Sequence, residues 1–231
     1  MKIREMKQAA KENLRGRWFG PFLLCVLYFI CTLPANLCNI GSTILNEYVS
    51  MVMEEGIVLD ALAHLDVAML AQYASILSVA YMVLYYLINQ HAAVGLARYF
   101  IRFGREKANL WTFLGGFFKK YVRTMWVMLI ASCRILLFTL LLVVPGVVKA
   151  IEYSILPHVM ADNPNFTTTE IFAETKALMR GCKWKMCCLM LSFVGWIFLG
   201  VITLGLAIPF YQPYLEASVA ELYHYAKDRR E

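Results

Sequence analysis

Residues 121–160, YVRTMWVMLIASCRILLFTLLLVVPGVVKAIEYSILPHVM, decide the fold. From Thr124 to Val148 this stretch carries a single charge, Arg134, and the apolar run breaks at Pro145-Gly146. A second, weaker helical pattern follows over 147–160 and carries Lys149 and Glu152. About 20 apolar residues cross a bilayer as helix, so the stretch reads as a membrane hairpin. A charge inside a span costs about 3 kcal/mol on insertion scales. Arg134 is therefore expected to be buried among helices and paired. The candidate partners are Glu152 across the hairpin, Glu216 or Glu221 near the C-terminus, and the polar group Asn89-Gln90-His91. A structural ion pair is one reading of Arg134. A substrate or anion site and snorkelling to an interface are the others.

The composition places the whole chain in the same class. Of 231 residues, 60% are hydrophobic and 16% charged, against about 45–50% and about 25% in soluble domains. The mean hydropathy is +0.58. Uncharged runs cover 19–46, 67–97 and 186–215, the last containing Pro209 and Pro213. The run after the basic start has no small-residue cleavage site, so it reads as a retained first span.

Spans are expected at about 18–40, 67–97, 121–144, 146–160, 184–207 and 209–226. Positive segments stay cytoplasmic. The N-terminus, 98–123, 176–185 and the tail 227–231 are basic, whereas 41–66 is acidic. Both termini then lie inside, the acidic loop lies outside, and hairpins turn at Pro145-Gly146 and near 207–209. The fold class expected is an all-α, polytopic membrane bundle of about six spans in three hairpins, forming one domain over 1–231. A four-span alternative lays 147–160 and 214–226 in the interface.

Each hairpin is preceded by a basic amphipathic pattern, which gives pseudo-repeats of about 1–100, 101–165 and 166–231. In the first, Ile3, Met6, Ala10 and Leu14 share a helical face. In the second, Leu110, Phe113, Leu114 and Phe117 do so. In the third, Ile171, Thr175, Leu178 and Cys182 form the stripe, after a capping-box spacing of Thr167 and Glu170. Leu14-Arg15-Gly16-Arg17-Trp18 is echoed by Met179-Arg180-Gly181-Cys182-Lys183-Trp184. These helices are expected at the inner membrane surface. There Lys7, Lys11, Arg15, Arg17, Lys119, Lys120, Arg180, Lys183 and Lys185 would contact anionic lipid. No nucleic-acid partner is expected, because the basic residues flank spans and form no separate domain.

From Pro145 onward the chain resembles a known group. The residues that carry the resemblance are Pro145-Gly146, Tyr153-Ser154, Ala161-Asp162-Asn163-Pro164, Leu178-Met179-Arg180-Gly181 with Lys183-Trp184, Leu191-Ser192-Phe193, Gly195-Trp196, Thr203-Leu204-Gly205 and Pro213-Tyr214. Leu14-Arg15-Gly16-Arg17-Trp18 fits as well. They resemble a family of bacterial multi-pass integral membrane proteins catalogued as a domain of unknown function. That family looks distantly similar to the membrane domain of glycerophosphodiester phosphodiesterases. The resemblance implies a cell-membrane location and brings no catalytic residues.

No catalytic constellation, phosphate loop or metal-ligand spacing stands out. His91, His158 and His224 lie in three segments, and the seven cysteines form no CxxC. No cofactor is expected. Lys149 and Glu152 are spaced to pair with each other. The expected function is that of a non-enzymatic membrane protein, a scaffold, regulator or partner of a membrane complex. The alternative is a small transporter or lipid-handling protein that uses the intramembrane charges Arg134, Lys149, Glu152 and Glu216.

Overall fold

The computed structural model describes residues 3–30, 43–44, 47, 67–103, 111–113, 121–203 and 205–230. It is all-helical, with no strand among the described residues. The helices are α1 (Ile3–Leu14), α2 (Phe19–Ile30), α3 (Val67–Phe103), α4 (Tyr121–Leu141), α5 (Val143–Tyr153), α6 (Leu156–Asp162), α7 (Thr168–Leu178), α8 (Lys183–Leu191), α9 (Val194–Ile202) and α10 (Ile208–Asp228). The chain forms two compact units, residues 28–89 and residues 1–27 with 90–231. In the smaller unit the Tyr28 hydroxyl donates to the Asn89 side-chain oxygen, and Tyr73, Ile76, Val79 and Met82 of α3 are exposed.

The larger unit holds the core. Met6, Ala10 and Leu14 recur at i, i+4 and i+8, so one face of α1 is apolar, and all three are buried. That face packs on α10, where Asn13 Nδ2 donates to Glu221 Oε1 at 2.8 Å. Gly16, at φ +80°, ends the helix in the left-handed region that glycine adopts without penalty. Gly181, at φ +78°, ends α7 in the same way. The two Leu/Met-Arg-Gly joints therefore share a backbone device as well as a sequence.

Helix α7 starts on a complete capping box. Glu170 N–H donates to Thr167 Oγ1, and Thr167 N–H donates to Glu170 Oε2 at 2.7 Å. Thr167→Ala removes one acceptor for an end-of-helix N–H and is expected to cost about 1 kcal/mol, read as a lowered thermal midpoint. Ile171, Thr175, Leu178 and Cys182 are all buried. The apolar faces expected on α1 and α7 are thus present, and protein covers them. Their cations remain at the rim. Of the middle amphipathic pattern, Phe113 is buried; Leu110, Leu114, Phe117, Lys119 and Lys120 lie outside the described residues.

Helices α4 and α5 form an antiparallel hairpin, but its turn is not at Pro145-Gly146. It falls at Leu142, which is extended (φ −160°, ψ 133°), and Pro145 sits in the first turn of α5. A proline is tolerated there because the N–H it lacks has no intrahelical acceptor. Gly146 serves instead for close approach to Thr139. Beyond the packed base the hairpin presents apolar side chains on all sides: Leu136, Leu137, Leu140, Leu141, Val143, Val144 and Val147 are exposed. Exposed apolar residues also dominate α9 and the following turn, where Phe198, Val201, Ile202 and Leu206 lie.

Two runs among the described residues are long and apolar enough to cross a membrane, Val122–Leu141 and Lys183–Ile202, each of 20 residues. The second is bent at Ser192-Phe193, between α8 and α9. The fourth expected span, 146–160, is delivered as two helices broken at Ser154, whose hydroxyl donates to Ile151 O at 2.7 Å.

Candidate functional site

The polar residues singled out above do not form one cluster. Glu152, on α5, turns toward α8. Its carboxylate, 3% exposed, accepts from Lys149 Nζ at 3.0 Å and from Lys183 Nζ. The spacing of Lys149 and Glu152 was legible; Lys183, 31 residues further on, was not.

Arg134 does not pair with Glu152, and no carboxylate reaches it among the described residues. The side chain is exposed. Its guanidinium lies over the Phe172 ring at 4.3 Å and reaches the Tyr153 hydroxyl at 3.5 Å. The expectation of a buried ion pair is therefore corrected. The reason is helical phase: successive residues point about 100° apart, so Tyr153 meets Arg134 and Glu152 faces α8. Phe172, from α7, completes the contact as a cation–π partner, worth about 0.5–1 kcal/mol at an exposed site. Tyr153 links the two groups loosely, since Lys149 Nζ lies 5.6 Å from its ring.

A second ion cluster ties α6 to α10. Asp162 Oδ2 accepts from Tyr223 Oη at 2.9 Å and from Lys227 Nζ at 2.6 Å. Arg230 pairs with Glu174 of α7 at 2.5 Å. Burial pushes the Asp162 carboxyl up, but hydrogen bonds from Lys227 and Tyr223 outweigh it and hold the group below its usual value of 3.8. A carboxyl with a depressed folded pKa stabilises above its unfolded pKa, and the contribution is lost as pH falls through the folded value. Lowering pH from about 5 toward 3 is expected to lower the thermal midpoint in detergent. Asp162→Asn is expected to flatten that dependence.

Glu216 stands apart from both clusters. With His158 and Ser154 it lines a cavity of about 120 Å³ bordered by α3, α6, α8 and α10. His158 is buried, and neither ring nitrogen has a hydrogen-bond partner among the described residues. Its ring packs on Tyr223 with centroids 5.9 Å apart, and Tyr223 packs on His224, whose Nε2 lies 3.1 Å from Ile101 O. Two of the histidines that are scattered in sequence thus converge on one tyrosine. No group of three metal-ligating side chains occurs among the described residues.

The basic residues divide into two sets. Lys183 is held by Glu152, Lys185 Nζ donates to Tyr225 Oη at 2.7 Å, and Lys7 Nζ lies 4.3 Å over the Phe193 ring. Lys11, Arg15, Arg17 and Arg180 are exposed.

The comparisons with curated proteins and with solved structures return no match. Residues 119–230, which contain the Glu152 and Asp162 clusters entire, match the model of a family described as Protein of unknown function (DUF975).

Proposed function

We propose that this chain is a non-enzymatic, polytopic protein of the cell membrane that acts as a scaffold, regulator or partner of a membrane complex. Six crossings in three hairpins, with both termini cytoplasmic, form the topology of this reading. It extends to the matched family as a family of bacterial membrane proteins, with a distant similarity to the membrane domain of glycerophosphodiester phosphodiesterases. One contrast carries it. The α4–α5 tip exposes apolar residues on all sides, whereas the carboxylates at its base are paired: Glu152 with Lys149 and Lys183, Asp162 with Lys227. Water does not favour the first arrangement, and lipid does.

The transport alternative is supported by charges near the spans. Against it, Arg134 rests on Phe172 and lines neither described cavity, and the cavity at Glu216 is small, about 120 Å³.

Cysteine labelling in intact cells, in a cysteine-free background, tests the topology. An impermeant thiol reagent is expected to modify Glu55→Cys and Leu206→Cys, and to spare Arg180→Cys and Arg230→Cys. External modification of Arg180→Cys would refute six crossings. A substrate-dependent flux in liposomes, abolished by Arg134→Gln in a protein that still folds, would overturn the scaffold reading.

A further inference from the structure

Between α1 and the helices α9 and α10 lies an open groove of about 1150 Å³. Trp18, Trp196, Phe210, Tyr211 and Tyr214 form its walls, with Leu14 beneath. Trp18, Trp196 and Phe210 are more than 40% exposed, so much of each large ring is open at the groove. Lys11 of α1 and Arg15 just after it also line the groove. Lys7 precedes them on the same stripe, at i, i+4 and i+8, and its ammonium stands 5.9 Å from the Tyr214 ring. The acid in the lining is Glu12, whose Oε1 accepts from Gln8 Nε2 at 3.3 Å.

The groove thus joins two chemistries along one axis. One side is apolar and aromatic, and it continues into the exposed apolar surface of Ile197, Phe198 and Val201. The other is a row of cations along α1 and the turn after it, a helix whose Met6, Ala10 and Leu14 are buried in the core. A free inorganic anion would use the cations and leave the aromatic walls wet. A neutral apolar molecule would use the walls and leave the cations idle. An amphiphile with an anionic head and acyl chains satisfies both. The volume also exceeds the range of about 300–1,000 Å³ usual for small-molecule sites. Tryptophan and tyrosine suit such a boundary, being apolar in the body and polar at the edge.

We propose that this groove is a binding site for a single anionic phospholipid, with the phosphate at Lys11 and Arg15 and the acyl chains against Trp18, Trp196 and Phe210. The proposal rests on the membrane reading above and adds a defined site to it.

Tryptophan quenching tests it in the full chain. Trp111, Trp126 and Trp184 are exposed, so Trp111→Phe, Trp126→Phe and Trp184→Phe together leave Trp18 and Trp196 as reporters. The protein is placed in phosphatidylcholine nanodiscs containing a few mole per cent of acyl-brominated phosphatidylglycerol or, separately, brominated phosphatidylcholine. The anionic lipid is expected to quench at a mole fraction about tenfold lower than the zwitterionic one. Lys11→Glu with Arg15→Glu is expected to abolish that preference, since each cation contributes severalfold. The double variant must keep the thermal midpoint of its parent; since both side chains are exposed, it should.

Equal quenching by the two lipids at every mole fraction would overturn the site and leave the membrane reading intact. Absence of quenching even with brominated lipid in bulk would overturn both. Loss of phosphatidylglycerol quenching on adding millimolar inorganic phosphate at constant ionic strength would assign the cations to a soluble anion and overturn the lipid site.

Discussion

Replacing Lys149 and Lys183 together by methionine is expected to lower stability by about 3–5 kcal/mol, because it leaves the Glu152 carboxylate buried without a counter-charge. The effect depends on an asymmetry of exposure. The carboxylate is 3% exposed, whereas Lys149 and Lys183 are 24% and 38% exposed. Either ammonium can reach water if its partner is lost; the carboxylate cannot. Lys183→Met alone therefore leaves Lys149 in place and is expected to cost about 1 kcal/mol. Glu152→Gln frees two cations that can turn outward, and is expected to be milder than the double lysine change. Adding Glu152→Gln to the double variant is expected to recover most of the loss, the sign of a coupled set. The readout is the thermal midpoint of purified protein in detergent, where the double variant should fall by about 10 °C. A double variant as stable as its parent would mean that water reaches Glu152 freely.

Gly146→Ala is expected to open the α4–α5 hairpin and to cost about 1–3 kcal/mol or more. A Cβ at Gly146 would lie 2.2 Å from Thr139 Oγ1 and 2.7 Å from Thr139 Cα. The hydroxyl is held by its own bond to Ile135 O at 2.8 Å. Even Thr139→Ser leaves the Cα in the way, so backbone must move. A stripped small-residue contact of this kind is how helices approach closely where lipid surrounds them. Gly195→Ala is the matched control. No atom of the described residues lies within 4 Å of a Cβ there, and alanine in a helix is favoured over glycine by up to about 1 kcal/mol. The two changes are chemically identical and should move the midpoint in opposite directions. Equal effects would sink the close-packed hairpin.

The features that were readable in advance depend on neighbours in sequence. The faces of α1 and α7 follow from 3.6-residue periodicity, and Met6, Leu14, Ile171 and Leu178 are where it puts them. The Thr167–Glu170 box, the Lys149–Glu152 pair and the two Arg-Gly helix ends each span four residues or fewer. Such contacts are set by backbone geometry alone. The hairpin turn was misplaced by three residues because proline was read as a break, although the first turn of a helix accepts it. Arg134 was misassigned for a related reason. Its sequence justified a partner but could not say which face of α5 it would meet.

What remained hidden needs two helices at a particular rotation and crossing. Lys183 reaches Glu152, Tyr223 and Lys227 reach Asp162, His158 and Glu216 line one cavity, and Trp18 and Trp196 line one groove. By itself the amino-acid order determined an all-helical chain, its long apolar runs and the helical faces, because these follow from local periodicity and the cost of desolvating backbone and charge. The tertiary structure alone decided which charge answers which, and where cations and aromatic rings share a groove, because a rotation of one residue about a helix axis, about 100°, turns a side chain to a different neighbour.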